Sequence, residues 1–311
     1  MNKALRSLLG LGLLFCGAAA NAVVTMDARL TAVLGGVANT KGATWTELDA
    51  STSARIDYLV VGLKVTDGGG NGLCDLATGA IASETVIVAD LATATAGAVR
   101  MRFAGFNVAI PSGSRLSARC QGIAATESIT IQAFGYTRQQ ATTGNVTTYG
   151  TSRDAEGDDA DTLGINIDPG ATPDTKSAYV DFGALSANVV SFWVYVGGNG
   201  DTGRAAASDQ FIDVGEGGAS NCSSVTIKVP DIHMRFTTLD DEDHHIIGPF
   251  DGSMTSGNHL CVRGESSVGT DGDRDMDVIV YTHTEGIDKA AGGGGPACRN
   301  SIITGGNCIS P

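Results

Sequence analysis

The chain contains one short segment twice, and this repetition restricts the folds that it can adopt. Residues 110–119 read IPSGSRLSAR, and residues 254–263 read MTSGNHLCVR. Identical residues recur between the two copies at a spacing of 144, namely Ser112 and Ser256, Gly113 and Gly257, Leu116 and Leu260, and Arg119 and Arg263. A period this long indicates that a whole domain is used twice.

The flanks of the repeated segment also correspond, and the spacing increases along the chain. Leu59 corresponds to Phe192 at a spacing of 133, and Ile129 corresponds to Met276 at a spacing of 147. Surface loops tolerate insertions and paired strands do not, so the second copy is predicted to carry longer loops. We expect the extra length within residues 238–252, which contain an acidic run.

The apolar residues alternate along short segments, which indicates strands. In residues 56–65, the side chains of Leu59, Val61 and Leu63 alternate with a mixed set, as in a half-buried strand. The 43 Gly residues suit many tight turns, and no amphipathic helices separate the strands as parallel pairing would need. The predicted fold class is all-β, with two tandem antiparallel β-sandwich domains of jelly-roll or immunoglobulin-like kind.

The first 22 residues have the pattern of a secretory signal peptide. Lys3 and Arg6 precede a short apolar run, and a small-residue segment ends at Ala22, where we expect cleavage. The run is shorter than the roughly 20 apolar residues that span a bilayer. The sequence therefore predicts an exported protein, whether extracellular, on the cell surface or periplasmic, without a membrane span.

The charge of the chain excludes one class of partner. Cleavage leaves 18 of the 20 Lys and Arg residues against 34 Asp and Glu residues, a net charge of about −16. Phosphate backbones and anionic membrane surfaces repel such a chain, so nucleic acid is not expected as a partner.

The six cysteines that remain after loss of Cys16 predict three disulfides, since exported chains pair their thiols. Proximity in sequence favours these pairs: Cys74 with Cys120, Cys222 with Cys261, and Cys298 with Cys308. The first two pairs are not equivalent, because Cys261 aligns with Ser117. This odd offset from Cys120 predicts that the two side chains lie on opposite faces of their strands.

The predicted domain organisation follows from these patterns. Residues 1–22 form the signal peptide, residues 23–150 the first sandwich, and residues 151–290 the second. Residues 291–311 contain a Gly-rich hinge followed by a hairpin that Cys298 and Cys308 close, with Gly305 and Gly306 at its turn.

Several segments resemble β-sandwich modules of phage virion and tail-associated proteins. They are ANTKG at residues 38–42 before Trp45, SETVIV at residues 83–88, and the segment at residues 110–121. The resemblance covers the first repeat well and the second only faintly. It implies a structural or receptor-facing role and no catalytic residues, whereas the signal peptide and the paired cysteines depart from the family's pattern.

Two acidic segments are candidate metal sites. Asp271, Asp273, Asp275 and Asp277 alternate, as oxygen ligands do in calcium loops, although the spacing of a complete EF-hand is missing. The alternative interpretation is a solvated acidic turn. His244 and His245, beside residues 240–243, are the second candidate, for a transition metal, against the alternative of a solvated loop.

No nucleophile elbow, zinc-protease motif or phosphate-binding loop occurs in the sequence. The chain is therefore predicted not to be an enzyme and to need no cofactor, apart from the calcium ion considered above.

The leading functional hypothesis is a structural or adhesive surface or filament module that associates with itself. The alternative is a glycan-binding extracellular module, in which Trp193 and Tyr195, or Trp45, stack on sugars. Trp193 and Tyr195 share one strand face, which is either an outward platform or a contact between domains.

The processing and the tail disulfide can be tested together on the exported protein. We expect an intact mass that corresponds to residues 23–311, and non-reducing peptide mapping that links Cys298 to Cys308. A mass that includes residues 1–22 would contradict the cleavage, and a link from Cys298 to a cysteine of either repeat would contradict the separate tail.

Overall fold

A computed structural model gives the architecture of the chain. It describes residues 24–33, 40–65, 72–93, 101–122, 128–137, 145–151, 164–198, 207–236, 245–270 and 274–284, together with strand residues 303–304 and 307–308. Throughout these ranges the regular secondary structure is β-strand, and no helix within them is long and apolar enough to cross a membrane. The predicted all-β fold class is confirmed.

Within the described residues, the first repeat contains eight strands in two sheets. The strands are β1 Val24–Val33, β2 Thr46–Asp49, β3 Ile56–Val65, β4 Gly72–Thr78, β5 Thr85–Ala92, β6 Arg102–Ile110, β7 Leu116–Gly122 and β8 Ser128–Tyr136. Sheet A has the order β1-β8-β3-β6, and sheet B has the order β2-β7-β4-β5. Eight antiparallel strands that cross between two sheets in this order form a jelly roll.

The second repeat has the same strand order. Its strands are β9 Val146–Tyr149, β10 Ile165–Ile167, β11 Val180–Ala184, β12 Val189–Gly198, β13 Ser208–Glu216, β14 Thr226–Phe236, β15 His245–Met254, β16 His259–Ser266 and β17 Met276–His283. Sheet C has the order β10-β17-β12-β15, with β9 also paired to β17, and sheet D has the order β11-β16-β13-β14. Both repeats are therefore jelly rolls, which is one of the two sandwich types predicted.

The first strand of the jelly roll is continuous in the first repeat and interrupted in the second. Strand β1 runs along the whole of β8, whereas β9 pairs with one half of β17 and β10 with the other half. Strand β9 precedes residue 150, the expected domain boundary, and yet belongs to sheet C. The strand pairing thus begins the second jelly roll before that boundary.

The extra length of the second repeat is spread over several connections. In matched register positions, Asp75 and Asp213 are 138 residues apart, whereas Asp90 and Asp231 are 141 apart. The expectation that residues 238–252 hold the extra length is therefore wrong in part, because the spacing has already grown before that segment begins.

The repeated segment forms the same turn twice. The amide of Ser114 donates to the carbonyl of Pro111 at 3.2 Å, and that of Asn258 donates to Thr255 at 3.1 Å. Gly113 and Gly257 have φ values of 81° and 85°. Glycine adopts this left-handed conformation without the steric cost that other residues incur, which explains its presence in both copies.

Each repeat encloses its own apolar core, but strands β12 and β17 of sheet C contribute to both. The inward side chains of β3, including Leu59 and Val61, are buried in the first core. On β12, Phe192 lies in the second core, whereas its neighbours Trp193 and Tyr195 lie in the first. Sheet C is consequently covered on both faces, by sheet D on one side and by the first repeat on the other.

Hydrogen bonds fix the outer face of sheet C against the seam between β5 and β6, the edge strands of sheets B and A. The indole Nε1 of Trp193 donates to the carbonyl of Gly105 at 2.8 Å. The hydroxyl of Tyr281 donates to the carbonyl of Asp90 at 2.9 Å and accepts from the amide of Ala92 at 2.9 Å. These bonds satisfy backbone groups of edge strands that would otherwise be buried without partners.

Two of the three predicted disulfides are confirmed. Cys74 bonds to Cys120, directly across from it on β7, and Cys222 bonds to Cys261. The side chain of Cys120 lies in the first core, whereas Cys261 lies on the strand face opposite to the core residues Leu260 and Val262, as the odd offset predicted. Cys298 lies outside the described residues, so its pairing stays a prediction.

The tail, treated by itself, contains a short antiparallel pair of strands, and the predicted disulfide-closed hairpin stays a prediction. Strands β18 Ile303–Thr304 and β19 Asn307–Cys308 pair antiparallel, with Gly305 and Gly306 between them. The chain divides into a unit of residues 24–287 and a second unit that contains this hairpin.

The Tyr281 hydroxyl provides a direct test of the contact between repeats. Tyr281→Phe should lower the free energy of unfolding by about 1–3 kcal/mol, because the amide of Ala92 and the carbonyl of Asp90 stay buried without this partner. The measurement is urea unfolding. Tyr149→Phe is the matched control, since its hydroxyl bonds to the exposed amide of Ser186. Equal losses in both variants would contradict the proposed importance of the interface bonds.

Candidate functional site

The outer face of sheet B carries a cluster of ion pairs centred on Asp75. This carboxylate on β4 is 3% exposed. It accepts hydrogen bonds from Arg119 Nε at 3.0 Å and from the backbone amide of Asp90 at 3.1 Å, and it pairs with Lys41. Lys41 also pairs with the carboxylate of Asp90.

Sheet D carries the same cluster at matched positions. Asp213 on β13 is 2% exposed and accepts from Arg263 Nε at 2.8 Å and from the amide of Asp231 at 2.9 Å. Lys176 Nζ lies 3.1 Å from Asp213 and 2.8 Å from Asp231. Four charged positions therefore have the same arrangement in both repeats. An aromatic ring is the fifth position that the two clusters share.

In both clusters the guanidinium lies over an aromatic ring. Arg119 is 4.6 Å from the ring centre of Trp45, and Arg263 is 4.6 Å from that of Tyr179. An arginine in this geometry gains cation–π attraction while its nitrogens bond the carboxylate. Trp45, predicted as a sugar-stacking residue, is half-buried and has one face next to Arg119.

Each cluster holds a β-bulge in place. Two residues, Ala89 and Asp90, oppose Asp75 between the regular pairs of β4 and β5, and the same irregularity occurs in β14 at Asp231. Asp90 and Asp231 have φ values of 53° and 51°, in the left-handed region. The buried carboxylates stabilise this conformation by accepting the amide hydrogens of the bulged residues.

The electrostatics of the second cluster follow from its contacts. Burial would raise the pKa of Asp213, but the hydrogen bonds from Asp231, Lys176 and Arg263 outweigh it and lower that pKa. Burial would lower the pKa of Lys176, whereas its bonds to Asp231 and Asp213 raise it. Every charge is matched within the cluster, which therefore stabilises the fold and is a poor site for catalysis.

A further carboxylate ties the repeated turn to the edge of sheet D. Glu216 accepts from the amide of Thr255 at 2.7 Å and from Asn258 Nδ2 at 2.8 Å, and it pairs with Lys228 at 2.7 Å. Burial raises the pKa of Glu216, but the bonds from Lys228, Asn258 and Thr255 prevail and lower it to about 2.

Of the predicted sugar-binding residues, two are inaccessible. Trp193 is 8% exposed and Tyr195 is 2% exposed, and both pack into the first core. The glycan-stacking interpretation of this pair is therefore wrong, and the alternative of a contact between domains holds. The cause is that the outer face of sheet C covers the β5–β6 seam.

The calcium hypothesis is only partly within the described residues. Asp277 lies at the start of β17, buried near Tyr195, and Asp275 lies 3.7 Å from Arg274. Asp271 and Asp273 lie outside the described residues, as do His244 and residues 240–243. His245 packs edge-on against Phe236 at 5.4 Å. Among the described residues, no three metal-binding side chains come together, and the calcium site stays a prediction.

Sequence reasoning missed the outer face of sheet A, which carries aromatic side chains. Phe103 is 39% exposed and lies 6.1 Å from Phe134, and Tyr58 lies 6.3 Å from Tyr136. We call these four residues the sheet A face. The signal in the sequence is weak, because the four residues come from three separate strands and each strand contributes only one or two of them.

Comparison with known proteins shows similarity at the level of fold. No protein-family model and no curated protein matches the chain. STIV MCP, a viral major capsid protein, is 10% identical over 83% of this chain and 96% of its own, with a TM-score of 0.33. The CBM22-1-CBM22-2 tandem domain from Paenibacillus barcinonensis Xyn10C is 10% identical over 86% of this chain and 98% of its own, with a TM-score of 0.25. PNGF-II is 9% identical over 84% of this chain and 65% of its own, with a TM-score of 0.35. At these values only a β-sandwich relationship follows.

Removal of the buried carboxylate tests the role of the cluster. Asp213→Asn should lower the free energy of unfolding at neutral pH by about 3 kcal/mol, because Lys176 and Arg263 lose their common partner. Because the folded-state pKa is lowered, this contribution is present above the unfolded value of about 3.9 and is lost as the pH falls through the folded value. The difference between wild type and variant should therefore shrink in acid.

The matched control for this prediction is Asp209→Asn, which removes an exposed carboxylate that pairs with His233. Its effect should stay below about 1 kcal/mol. Thermal and urea unfolding over a pH series measure both variants. A loss for Asp213→Asn no larger than that of the control would refute the structural role of the cluster.

Proposed function

We propose that the protein is an exported, non-enzymatic building block of a surface, filament or adhesive structure. The observation that carries this proposal is the shared core: sheet C is buried on both faces, which joins the two jelly rolls into one block. On the sheet A face of this block, Phe103 is exposed and the other three rings are half-buried. A rigid unit with partly exposed aromatic rings on one face suits assembly or adhesion.

The use of the charged residues supports a structural role. The carboxylates of Asp75 and Asp213 are matched by cations and amides, and Glu216 is held in the same manner. A fourth, Asp168, accepts from Arg274 Nε at 2.6 Å. General acid–base catalysis needs a carboxyl or imidazole that can exchange a proton near neutral pH, and strong pairing opposes this.

Export is supported by the two disulfides and by the signal-like segment of residues 1–22. Disulfides persist in oxidising compartments, whereas the cytosol keeps thiols reduced. An exported position is where a structural or adhesive module would act.

Glycan binding is the second candidate, and the sheet A face is the observation that favours it. Tyr58, Phe103, Phe134 and Tyr136 offer rings on one sheet surface, and exposed rings stack on the apolar faces of sugars. These residues take the place of Trp193 and Tyr195 in this hypothesis.

Two measurements test the proposal. Cell fractionation of the producing cells should recover the protein outside the cytoplasm, and mass photometry with negative-stain microscopy should show particles larger than one mature chain of residues 23–311. A strictly monomeric protein at all concentrations would remove the filament form. A glycan array with wild type and Phe103→Ser then decides between adhesion to sugars and no such activity.

A further inference from the structure

The contact between the two repeats joins two kinds of surface. One is the outer face of sheet C, and the other is the seam between β5 and β6. Phe106 on β6 shows how closely they fit, because its ring contacts Tyr281 and His283 at centroid distances of 5.8 Å and is fully buried. Both surfaces belong to a jelly roll, and the chain contains two jelly rolls.

Each surface therefore has a counterpart that this contact leaves unused. When the two repeats are aligned by strand register, the sheet A face corresponds to the outer face of sheet C. Phe134 then corresponds to Tyr281, and Phe103 corresponds to Ile246. In the same alignment, the β5–β6 seam corresponds to a seam between β14 and β15, and Phe106 corresponds to Phe250. We call this second seam the β14–β15 seam.

The surfaces that form the contact between repeats are more buried than their counterparts, as expected if the counterparts lack a partner in a single chain. Val88 and Phe106 are fully buried at the first seam, whereas their counterparts Val229 and Phe250 are half-buried. Tyr281 is fully buried, whereas Phe134 is half-buried. The unused seam and the unused face thus expose apolar groups that the contact between repeats buries.

We propose that a second copy of this chain docks head-to-tail, with the sheet A face of one copy on the β14–β15 seam of the next. This inference rests on the proposed structural function and names its partner. The contact is heterologous, so a copy that docks through its face leaves its seam available to the next copy. Such contacts continue as a filament or close into a ring.

The chemistry of the two surfaces predicts a contact weaker than the one within the chain. Phe134 lacks the hydroxyl with which Tyr281 bonds the edge of β5, and Val60 stands in the place of Trp193. Each mature copy also carries a net charge of about −16, so copies repel one another. Salt screens this repulsion and leaves apolar burial intact, and assembly should therefore increase with ionic strength.

The test compares variants of the mature protein by analytical ultracentrifugation at low salt and at about 0.5 M NaCl. Phe103→Glu on the sheet A face, and Gln132→Glu on the same side of sheet A, each add a charge. Gln132 is half-buried and polar, and its counterpart Ile279 is buried in the contact between repeats. On the seam, Pro230→Glu adds a charge at an exposed position whose counterpart, Ala89, accepts a hydrogen bond from Thr148.

The matched control is Ile227→Glu, on the same strand as Pro230. Ile227 is 43% exposed, and its counterpart Val86 stays 39% exposed in the presence of the second repeat, so this position lies outside the contact. The control should assemble like wild type. The face and seam variants should each weaken assembly by about tenfold or more, and thermal unfolding verifies that all of them are folded.

A mixing experiment distinguishes head-to-tail docking from other modes. Gln132→Glu retains an intact seam, and Pro230→Glu retains an intact face, so an equimolar mixture should form dimers that grow no further. The proposal is overturned if the mixture stays monomeric, or if face and seam variants assemble as wild type does. In the latter case the structural function stands with another contact. A monomeric wild type whose sugar binding is lost in Phe103→Glu would instead support the glycan-binding candidate.

Discussion

The burial of sheet C on both faces is the constraint on which the rest of the molecule depends. An antiparallel sheet commonly packs one face on a core and exposes the other to water, and its sequence then alternates. Strand β12 instead has Phe192 on one face and Trp193 and Tyr195 on the other, and both sets are buried. Polar tips on the outer face of sheet C allow this: Trp193 on β12 and Tyr281 on β17 satisfy backbone groups of the neighbouring edge strands as they pack.

The ion-pair clusters of sheets B and D show how a strongly acidic chain places its few cations. Lys41 with Arg119, and Lys176 with Arg263, are concentrated around one buried carboxylate in each repeat. The result is local rigidity at the bulge of the edge strand next to it. In the first repeat this bulge lies at the seam that receives Tyr281, so the cluster also shapes the surface on which the second repeat docks.

The sequence was sufficient to predict what depends on local patterns. Alternation in β3 predicted a half-buried strand, the Ser-Gly-x-x-Leu-x-x-Arg segment predicted the duplication, and proximity predicted two disulfides. It was insufficient where distant strands meet. Asp75 and Asp213 bear no local sign of their roles, because their partners lie on other strands. For Trp193 the strand face was predicted, but whether that face met water or protein depended on the packing of a separate domain.

The disulfides differ between the two repeats, whereas the charged clusters are the same. Both copies contain the Lys–Asp–Arg arrangement, so the simplest history places it in the single-domain ancestor. The bridges differ: Gly264 stands where the first repeat has Cys120, and Ser117 stands where the second has Cys261. A cysteine added to the backbone of Gly264 would meet the side chain of Met276. The two bridges therefore occupy non-equivalent positions, so each repeat is cross-linked at a place of its own, whereas the charged cluster is common to both.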